Sequence, residues 1–116
     1  MTPKELFDRQ MEYLQAKAVD PLIDNNYNED AELISLVGDP FVVKGSAALK
    51  THFGNYLAQT GDFQKIVLTK VIESEDTFAL EAQVTLNQNG QIIQIGVYDA
   101  FHLQNGKIAR HFTGIK

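Results

Sequence analysis

The stretch TFALEAQVTLNQNGQIIQIGVYDAFHLQNGKIARHFTGI, residues 77–115, decides the fold. Its hydrophobic residues recur at every second position, a period that predicts β-strands. Asn89-Gly90 and Asn105-Gly106 predict two tight hairpins, because both central residues of a type I′ turn need positive φ. Together with an alternating segment upstream, the stretch predicts four antiparallel strands, at 63–73, 77–87, 91–103 and 107–115.

The two hairpin turns also predict which residues lie opposite each other. A two-residue loop at 89–90 places Leu80 opposite Asp99, and a two-residue loop at 105–106 places Phe112 on the other side of Asp99. In the first of these hairpins, one face is then apolar except for Asp99. The same register puts His111 on the opposite, polar face, diagonal to His102.

The first 62 residues predict three helices and two short strands. Thr2, Pro3 and Glu5 form the pattern of a capped helix start, and the helix ends near Asp20-Pro21, where a shorter helix begins and runs to about residue 26. Two strands follow at 31–36 and 41–44. A further helix opens at 45–46 and ends at 59–62. The expected fold class is therefore α+β, in one domain spanning residues 1–116.

The amino-acid composition argues against nucleic-acid binding and excludes cysteine chemistry. The 116 residues include 10 Lys and Arg against 15 Asp and Glu, for a net charge of −5, and no two basic residues are adjacent. Nucleic acid is therefore not an expected partner, because phosphate binding needs clustered positive charge. The absence of cysteine excludes disulfides and thiol catalysis.

The sequence also lacks membrane and export signals. No apolar run approaches the 18 or so residues that cross a bilayer, and residues 1–8 lack a basic segment followed by an apolar one. We therefore expect no membrane partner and a cytoplasmic location.

The order of elements resembles the nuclear transport factor 2-like superfamily, which includes SnoaL-like and ketosteroid isomerase-like proteins. Three runs carry the resemblance: residues 27–31 (YNEDA), 44–49 (KGSAAL) and 99–108 (DAFHLQNGKI). The resemblance implies a cone-shaped, strongly curved, mixed or antiparallel sheet with about three helices on its concave face. It also implies an apolar pocket for a small hydrophobic molecule, no cofactor, and a homodimer through the outer sheet face.

Asp99 is the strongest candidate for a catalytic residue. A carboxylate among apolar neighbours loses hydration, which favours its neutral form, and a neutral acid can donate a hydrogen bond. Ketosteroid isomerase pairs a tyrosine with a protonated aspartate in this way, and by resemblance Tyr13 and Asp99 correspond to that pair. The competing interpretation is an acid paired with Arg110 or satisfied by the backbone. The predicted pocket-lining residues are Leu14, Phe53, Leu80, Val97, Phe101 and Phe112.

The general base of the isomerase pattern is missing. The resemblance places Ser35 at its position, and serine is not a base at neutral pH. His52, Glu32, Asp39 or Asp99 itself remain as substitutes, although each has an ordinary structural interpretation. His102 and His111 could share a metal ion, but no third ligand is in reach, and we expect no metal.

Two functional hypotheses follow. The first is a SnoaL-like small-molecule enzyme with isomerase, cyclase or dehydratase chemistry on a carbonyl or enol compound, in which Asp99, Tyr13 and His52 are catalytic. The second is a non-catalytic ligand-binding or dimeric association domain.

Overall fold

The computed structural model describes residues 1–116 as three helices and one six-stranded sheet. The elements are α1 (Pro3–Ala16), α2 (Val19–Asn26), β1 (Tyr27–Ser35), β2 (Phe41–Lys44), α3 (Ser46–Thr60), β3 (Asp62–Glu73), β4 (Thr77–Gln88), β5 (Gln91–Gln104) and β6 (Lys107–Ile115). The strand order is β2-β1-β6-β5-β4-β3, and every neighbouring pair is antiparallel except β1 and β6. The sheet is curved but not closed, and the predicted α+β class with a mixed sheet is confirmed.

The start of α1 follows the predicted capping pattern. The Thr2 hydroxyl accepts a hydrogen bond from the Glu5 backbone N–H at 3.1 Å, and the Glu5 carboxylate accepts one from the Thr2 N–H at 2.8 Å. The helix ends earlier than predicted, at Ala16, because Lys17 adopts a left-handed conformation. α2 then carries Pro21 inside its first turn, where proline costs no helical hydrogen bond.

β1 begins four residues before the predicted strand start at residue 31. Tyr27 pairs with Ile108 of β6, in a parallel arrangement that the local pattern did not indicate. The extra residues 28–30 are polar and partly or fully exposed, so they lack the apolar alternation by which a strand is recognised. This early start places Tyr27 in the core, where its side chain is 2% exposed.

The first hairpin has the predicted register. Leu80 pairs with Asp99, Ala82 with Val97 and Phe78 with Phe101. Asn89 adopts φ 53° and Gly90 φ 86°, as a type I′ turn requires. The concave face of β4 and β5 is therefore the predicted apolar face.

The second hairpin contains a β-bulge that corrects the predicted register. Leu103 still pairs with Ile108, but His102 pairs with Arg110, so Ala109 has no partner. Beyond the bulge Asp99 lies opposite Thr113, not opposite Phe112 as predicted. Because side chains alternate, this shift of one residue exchanges the faces of all later residues in β6.

The exchange moves His111 into the protein and Phe112 out of it. His111 is 5% exposed, whereas Phe112 is 41% exposed on the outer face. The physical reason lies in Arg110, which the unbulged register would have turned towards the core beside Ile108. Burying an unpaired guanidinium costs more free energy than losing one position of the ladder. The bulge keeps Ile108 buried and leaves Arg110 exposed.

The hydrophobic core lies between the concave face of the sheet and the three helices. Its members come from both layers and include Leu6, Phe7, Leu22, Ile23, Tyr27, Leu49, Phe53, Leu57, Phe78, Phe101 and Ile108. None of the three helices is long and apolar enough to cross a membrane. The cytoplasmic location stays a prediction.

Deleting Ala109 tests whether it is the surplus residue of β6. Without it Arg110 directly follows Ile108, and regular alternation keeps Ile108 and His111 on the concave face and Arg110 in solvent. We therefore expect the deletion to lower the free energy of unfolding by less than about 1 kcal/mol. Deleting Ala100, which is paired on both sides in β5, reverses the faces of one part of that strand and should cost about 3 kcal/mol or more. Urea denaturation followed by circular dichroism measures both, and an equal loss in the two variants contradicts the interpretation.

Candidate functional site

An apolar cavity of about 320 Å³ lies between α1, α3 and the concave face of the sheet. Eighteen of its 26 lining residues are hydrophobic. Five of the six predicted lining residues are among them: Leu14, Phe53, Leu80, Val97 and Phe101. The sixth, Phe112, is not, because the bulge turns it to the outer face. The cavity is large enough for a small organic molecule.

Asp99 and His111 form a hydrogen-bonded pair in the wall of this cavity. The His111 Nε2 and Asp99 Oδ1 atoms are 2.8 Å apart, and both side chains are largely buried. The Phe101 ring stacks on the His111 imidazole, with centroids 4.2 Å apart, and restricts its orientation. The sequence-based expectation of apolar surroundings for Asp99 is therefore wrong on one side, where an imidazole is its nearest polar partner.

The Tyr27 hydroxyl group forms a hydrogen bond with the other ring nitrogen of His111, Nδ1. Its hydroxyl oxygen lies 2.9 Å from Nδ1, and Gln10 donates to the same oxygen from Nε2 at 2.8 Å. Burial raises the pKa of Tyr27 far above its ordinary value, so the phenol keeps its proton. Having accepted a hydrogen bond from Gln10, the hydroxyl donates its proton to Nδ1, and Nε2–H of His111 donates to Asp99.

Asp99 is consequently arranged as an acceptor. One carboxylate oxygen accepts from His111, and the other has no hydrogen-bond partner in the protein. The side chain is 19% exposed and lines the cavity, so this second oxygen is available to a bound molecule.

α3 adds a polar stripe on the cavity wall. His52, Tyr56 and Thr60 follow one another at intervals of four residues, which places them on one side of the helix, and all three line the cavity. Burial lowers the pKa of His52, so its imidazole is neutral at pH 7. Burial also raises the pKa of Tyr56, and its hydroxyl stays protonated.

Tyr13 does not join the site. It lies outside the cavity lining, and its hydroxyl accepts a hydrogen bond from Asn25 Nδ2 at 2.9 Å. Its place on the flank of the apolar stripe of α1 turns it towards α2, away from Asp99.

Some of the alternative positions for the base line the cavity and others do not. Ser35 lines the cavity and is buried, and its hydroxyl accepts from the Val37 N–H at 3.2 Å. Glu32 and Asp39 are not part of the lining. Of the proposed substitutes for the missing base, Asp99 and His52 alone contact the cavity.

His102 and His111 lie on opposite faces of the sheet and cannot share a metal ion. His102 remains on the outer face, where its Nε2 lies 3.4 Å from Asp76 Oδ2. The predicted diagonal arrangement of the two imidazoles is wrong for the same reason as the predicted position of Phe112.

Comparison with known proteins agrees with this architecture. Residues 7–111 match the family model of the SnoaL-like domain. No curated protein matches the sequence. Among solved structures, Bal32a from a soil-derived mobile gene cassette is 22% identical with a TM-score of 0.76, and the alignment covers 97% of this chain and 87% of that one.

Two further structures show the same fold at lower identity. SalBIII, described as an epoxide hydrolase/cyclase-like enzyme in pyran ring formation, is 18% identical with a TM-score of 0.78, over 97% of this chain and 89% of its own. A protein of ketosteroid isomerase-like fold from Catenulispora acidiphila DSM 44928, solved with trimethylamine, is 12% identical with a TM-score of 0.78, over 97% and 85%. At these identities the likeness establishes the fold alone.

The lowered pKa of His52 predicts a pH dependence of stability. Below pH 6.5 the unfolded chain takes up a proton at His52 more readily than the folded chain, so this residue lowers the free energy of unfolding as the pH falls. In His52→Gln we expect a smaller loss of stability between pH 7.5 and 5.5 than in the unsubstituted protein. Urea denaturation at both pH values measures the difference, with His102→Gln on the outer face as control. An unchanged loss in His52→Gln would refute the assignment.

Proposed function

The chain belongs to the family of SnoaL-like domains, and on that premise we propose that it is a cofactor-independent acid–base enzyme for a small, largely apolar carbonyl or enol compound. The observation that carries the proposal is the Asp99–His111 pair, a carboxylate with one free oxygen in the wall of an apolar cavity. Perturbed or paired ionisable groups in such a cavity are the usual mark of a functional site.

Asp99 is the base in this proposal. Both nitrogens of His111 are engaged, one by the Tyr27 hydroxyl and one by Asp99, so the imidazole has no free lone pair for a substrate proton. The unpartnered oxygen of Asp99 has such a free lone pair. The sequence-based hypothesis left open whether Asp99 is acid or base, and the direction of its hydrogen bond favours the base.

Tyr56 supplies the hydrogen bond to the substrate oxygen. Its hydroxyl remains protonated because burial and the charge of Asp99 raise its pKa, and it lines the cavity from α3. Tyr13 was the phenol expected in this role. Since its hydroxyl bonds to Asn25 outside the cavity, Tyr56 is the better-placed donor.

The proposed step is proton removal from the carbon next to a carbonyl group. The C–H bond breaks, the proton passes to the free oxygen of Asp99, and the electron pair moves into the carbonyl to give an enolate. The Tyr56 hydroxyl stabilises the developing charge on the enolate oxygen. Where a carbon–carbon double bond adjoins the α-carbon, Asp99 returns the proton to the γ-carbon of the dienolate and gives an isomer. Attack of the enolate carbon on a second carbonyl group of the same molecule instead gives a ring, and the alkoxide that forms takes the proton back from Asp99.

One observation favours a second function, ligand binding without catalysis. Ser35 occupies the position where the resemblance places a base, and its hydroxyl already accepts a hydrogen bond from the backbone. The cavity could therefore hold an apolar molecule and leave it unchanged.

Hydrogen–deuterium exchange separates the two functions without knowledge of the natural substrate. A cyclic aryl ketone such as 2-tetralone fits an apolar cavity and carries acidic protons next to its carbonyl. In D₂O we expect the protein to accelerate their exchange, followed by proton NMR, and Asp99→Asn to reduce the acceleration about 10²-fold or more, the usual contribution of a positioned base.

The chain offers a matched control for this experiment. Asp76 and His102 form a second aspartate–histidine pair, exposed on the outer side of the sheet and away from the cavity. Asp76→Asn should exchange the probe at the unsubstituted rate. Saturable binding of the ketone without accelerated exchange would instead support the binding function, and equal loss in Asp76→Asn would sink the role of Asp99.

We also propose that the outer face of the sheet forms a homodimer. Exposed apolar side chains gather on this face, namely Val67, Ile72, Ile92, Tyr98 and Phe112. The Tyr98 ring lies directly over Gly114, where any Cβ would clash with it, which gives the centre of the face a flat aromatic surface. Flat aromatic surfaces of this kind suit protein interfaces.

Sedimentation velocity tests the dimer. We expect a dimer at micromolar concentration, and a monomer when Tyr98→Glu and Phe112→Glu place charges on the face. Val71→Glu is the control and should leave the dimer intact, because Val71 is an exposed apolar residue that its pairing with Leu80 places on the concave side of β3. A monomeric unsubstituted protein excludes the proposal.

A further inference from the structure

The Asp99–His111 pair is one end of a longer chain of hydrogen bonds that reaches the protein surface. Six side chains from α1, α2, β1, β5 and β6 take part. In order, the distances are Arg9 Nε to Asn26 Oδ1 2.7 Å, Asn26 Nδ2 to Gln10 Oε1 2.9 Å, Gln10 Nε2 to Tyr27 Oη 2.8 Å, Tyr27 Oη to His111 Nδ1 2.9 Å, and His111 Nε2 to Asp99 Oδ1 2.8 Å.

We propose that Arg9 is a positioning residue for the site, because it sets the direction of every hydrogen bond in this chain. A guanidinium group can only donate, so Asn26 must turn its carbonyl oxygen to Arg9 and its amide nitrogen to Gln10. Gln10 must then turn its nitrogen to Tyr27. Tyr27 accepts from Gln10 and therefore donates to His111 Nδ1. The proton of His111 then lies on Nε2 and points at Asp99.

The interior of the chain cannot change direction one link at a time. Asn26 is 0% exposed, Gln10 1% and Tyr27 2%, so water is not available to satisfy a mismatched group. Flipping one amide would bring two donors or two acceptors together in the core, which is costly. The chain of hydrogen bonds therefore has two consistent states, in which the bonds between Asn26 and His111 run in opposite directions.

The reversed state has a different site. With Asn26 and Gln10 both flipped, Tyr27 donates to Gln10 and accepts from Nδ1–H of His111. Nε2 then faces Asp99 either without a proton, which requires Asp99 to be protonated, or with a second proton, which makes His111 a cation. In neither case does a neutral imidazole donate to the Asp99 carboxylate.

Arg9 is itself held independently of this chain. Its Nη2 donates to the Asn25 carbonyl oxygen at 2.8 Å, which fixes the guanidinium beside Asn26. Arg9 lies about 17 residues along the sequence from its partners and well outside the cavity lining, so it has no contact with a bound molecule. Any effect on the site has to pass through Asn26, Gln10 and Tyr27.

Nitrogen-15 NMR of the imidazole groups tests the proposal directly, because protonated and unprotonated ring nitrogens have distinct chemical shifts. In the unsubstituted protein we expect His111 to carry its proton on Nε2. Arg9→Met removes the directing donor and should give a mixture of the two states, whereas Arg9→Lys, also a pure donor, should restore the Nε2–H form. Lys65→Gln, which removes an exposed charge elsewhere, should change nothing.

A second variant reverses the chain while keeping Arg9. Asn26→Asp is nearly isosteric but has no donor, so Gln10 must donate to it and turn its oxygen to Tyr27. We expect His111 to carry a proton on Nδ1 in this variant. A merely structural or electrostatic role of Arg9 predicts no such change, since the carboxylate would pair with Arg9 more strongly.

The catalytic consequence rests on the proposed function and is measured separately. In the ketone exchange assay Arg9→Met should lower kcat about two- to tenfold and Asn26→Asp about 10²-fold, with KM unchanged in both. In a Tyr27→Phe background, which interrupts the chain, Arg9→Met should have no further effect on the NMR spectrum. An unsubstituted Nε2–H signal in both Arg9→Met and Asn26→Asp overturns the proposal, and inactivity of the unsubstituted protein overturns only the proposed function.

Discussion

The β-bulge at Ala109 is the constraint on which the site depends. It lets Ile108 and His111 face the concave side of the sheet although they are separated by two residues, a spacing that regular alternation forbids. The core keeps its apolar contact at Ile108 and the guanidinium of Arg110 stays in solvent. The same extra residue delivers an imidazole to Asp99, so packing and site chemistry share one local distortion, as is common for bulges near functional sites.

Once His111 is inside, its polar atoms have to be satisfied there. A partly satisfied buried network destabilises a fold more than an apolar core would, because each unpaired group bears its full desolvation cost. In this protein no buried side-chain nitrogen or oxygen lacks a partner. Tyr27, Gln10 and Asn26 make this possible, and they come from three elements that meet only because β1 starts early and runs parallel to β6.

Much of the fold could be predicted from the sequence, because its signals are local. The cap at Thr2 and the turn at Asn89-Gly90 act over a few residues, and the register of β4 and β5 follows from the turn alone. The bulge is not a local signal, because it arises where the burial of Ile108 in a regular strand would also bury the charged Arg110. One signal was available: the simple register pointed Arg110 inward. Gln10, a polar residue on the apolar stripe of α1, was a second sign of a buried network.

The position of His111 also decides what Asp99 can do. In a wholly apolar setting the carboxyl group would favour its neutral form and act as a hydrogen-bond donor to a substrate oxygen. With an imidazole N–H directed at one of its oxygens, the same group is held as a hydrogen-bond acceptor, and in the proposed function its other oxygen accepts a substrate proton. In the proposed function Asp99 therefore takes the role that the resemblance gives to the position of Ser35, and its hydrogen bond from His111 suits that role. A fold whose cavity wall offers several such positions can move the base from one strand to another while the apolar cavity stays the same.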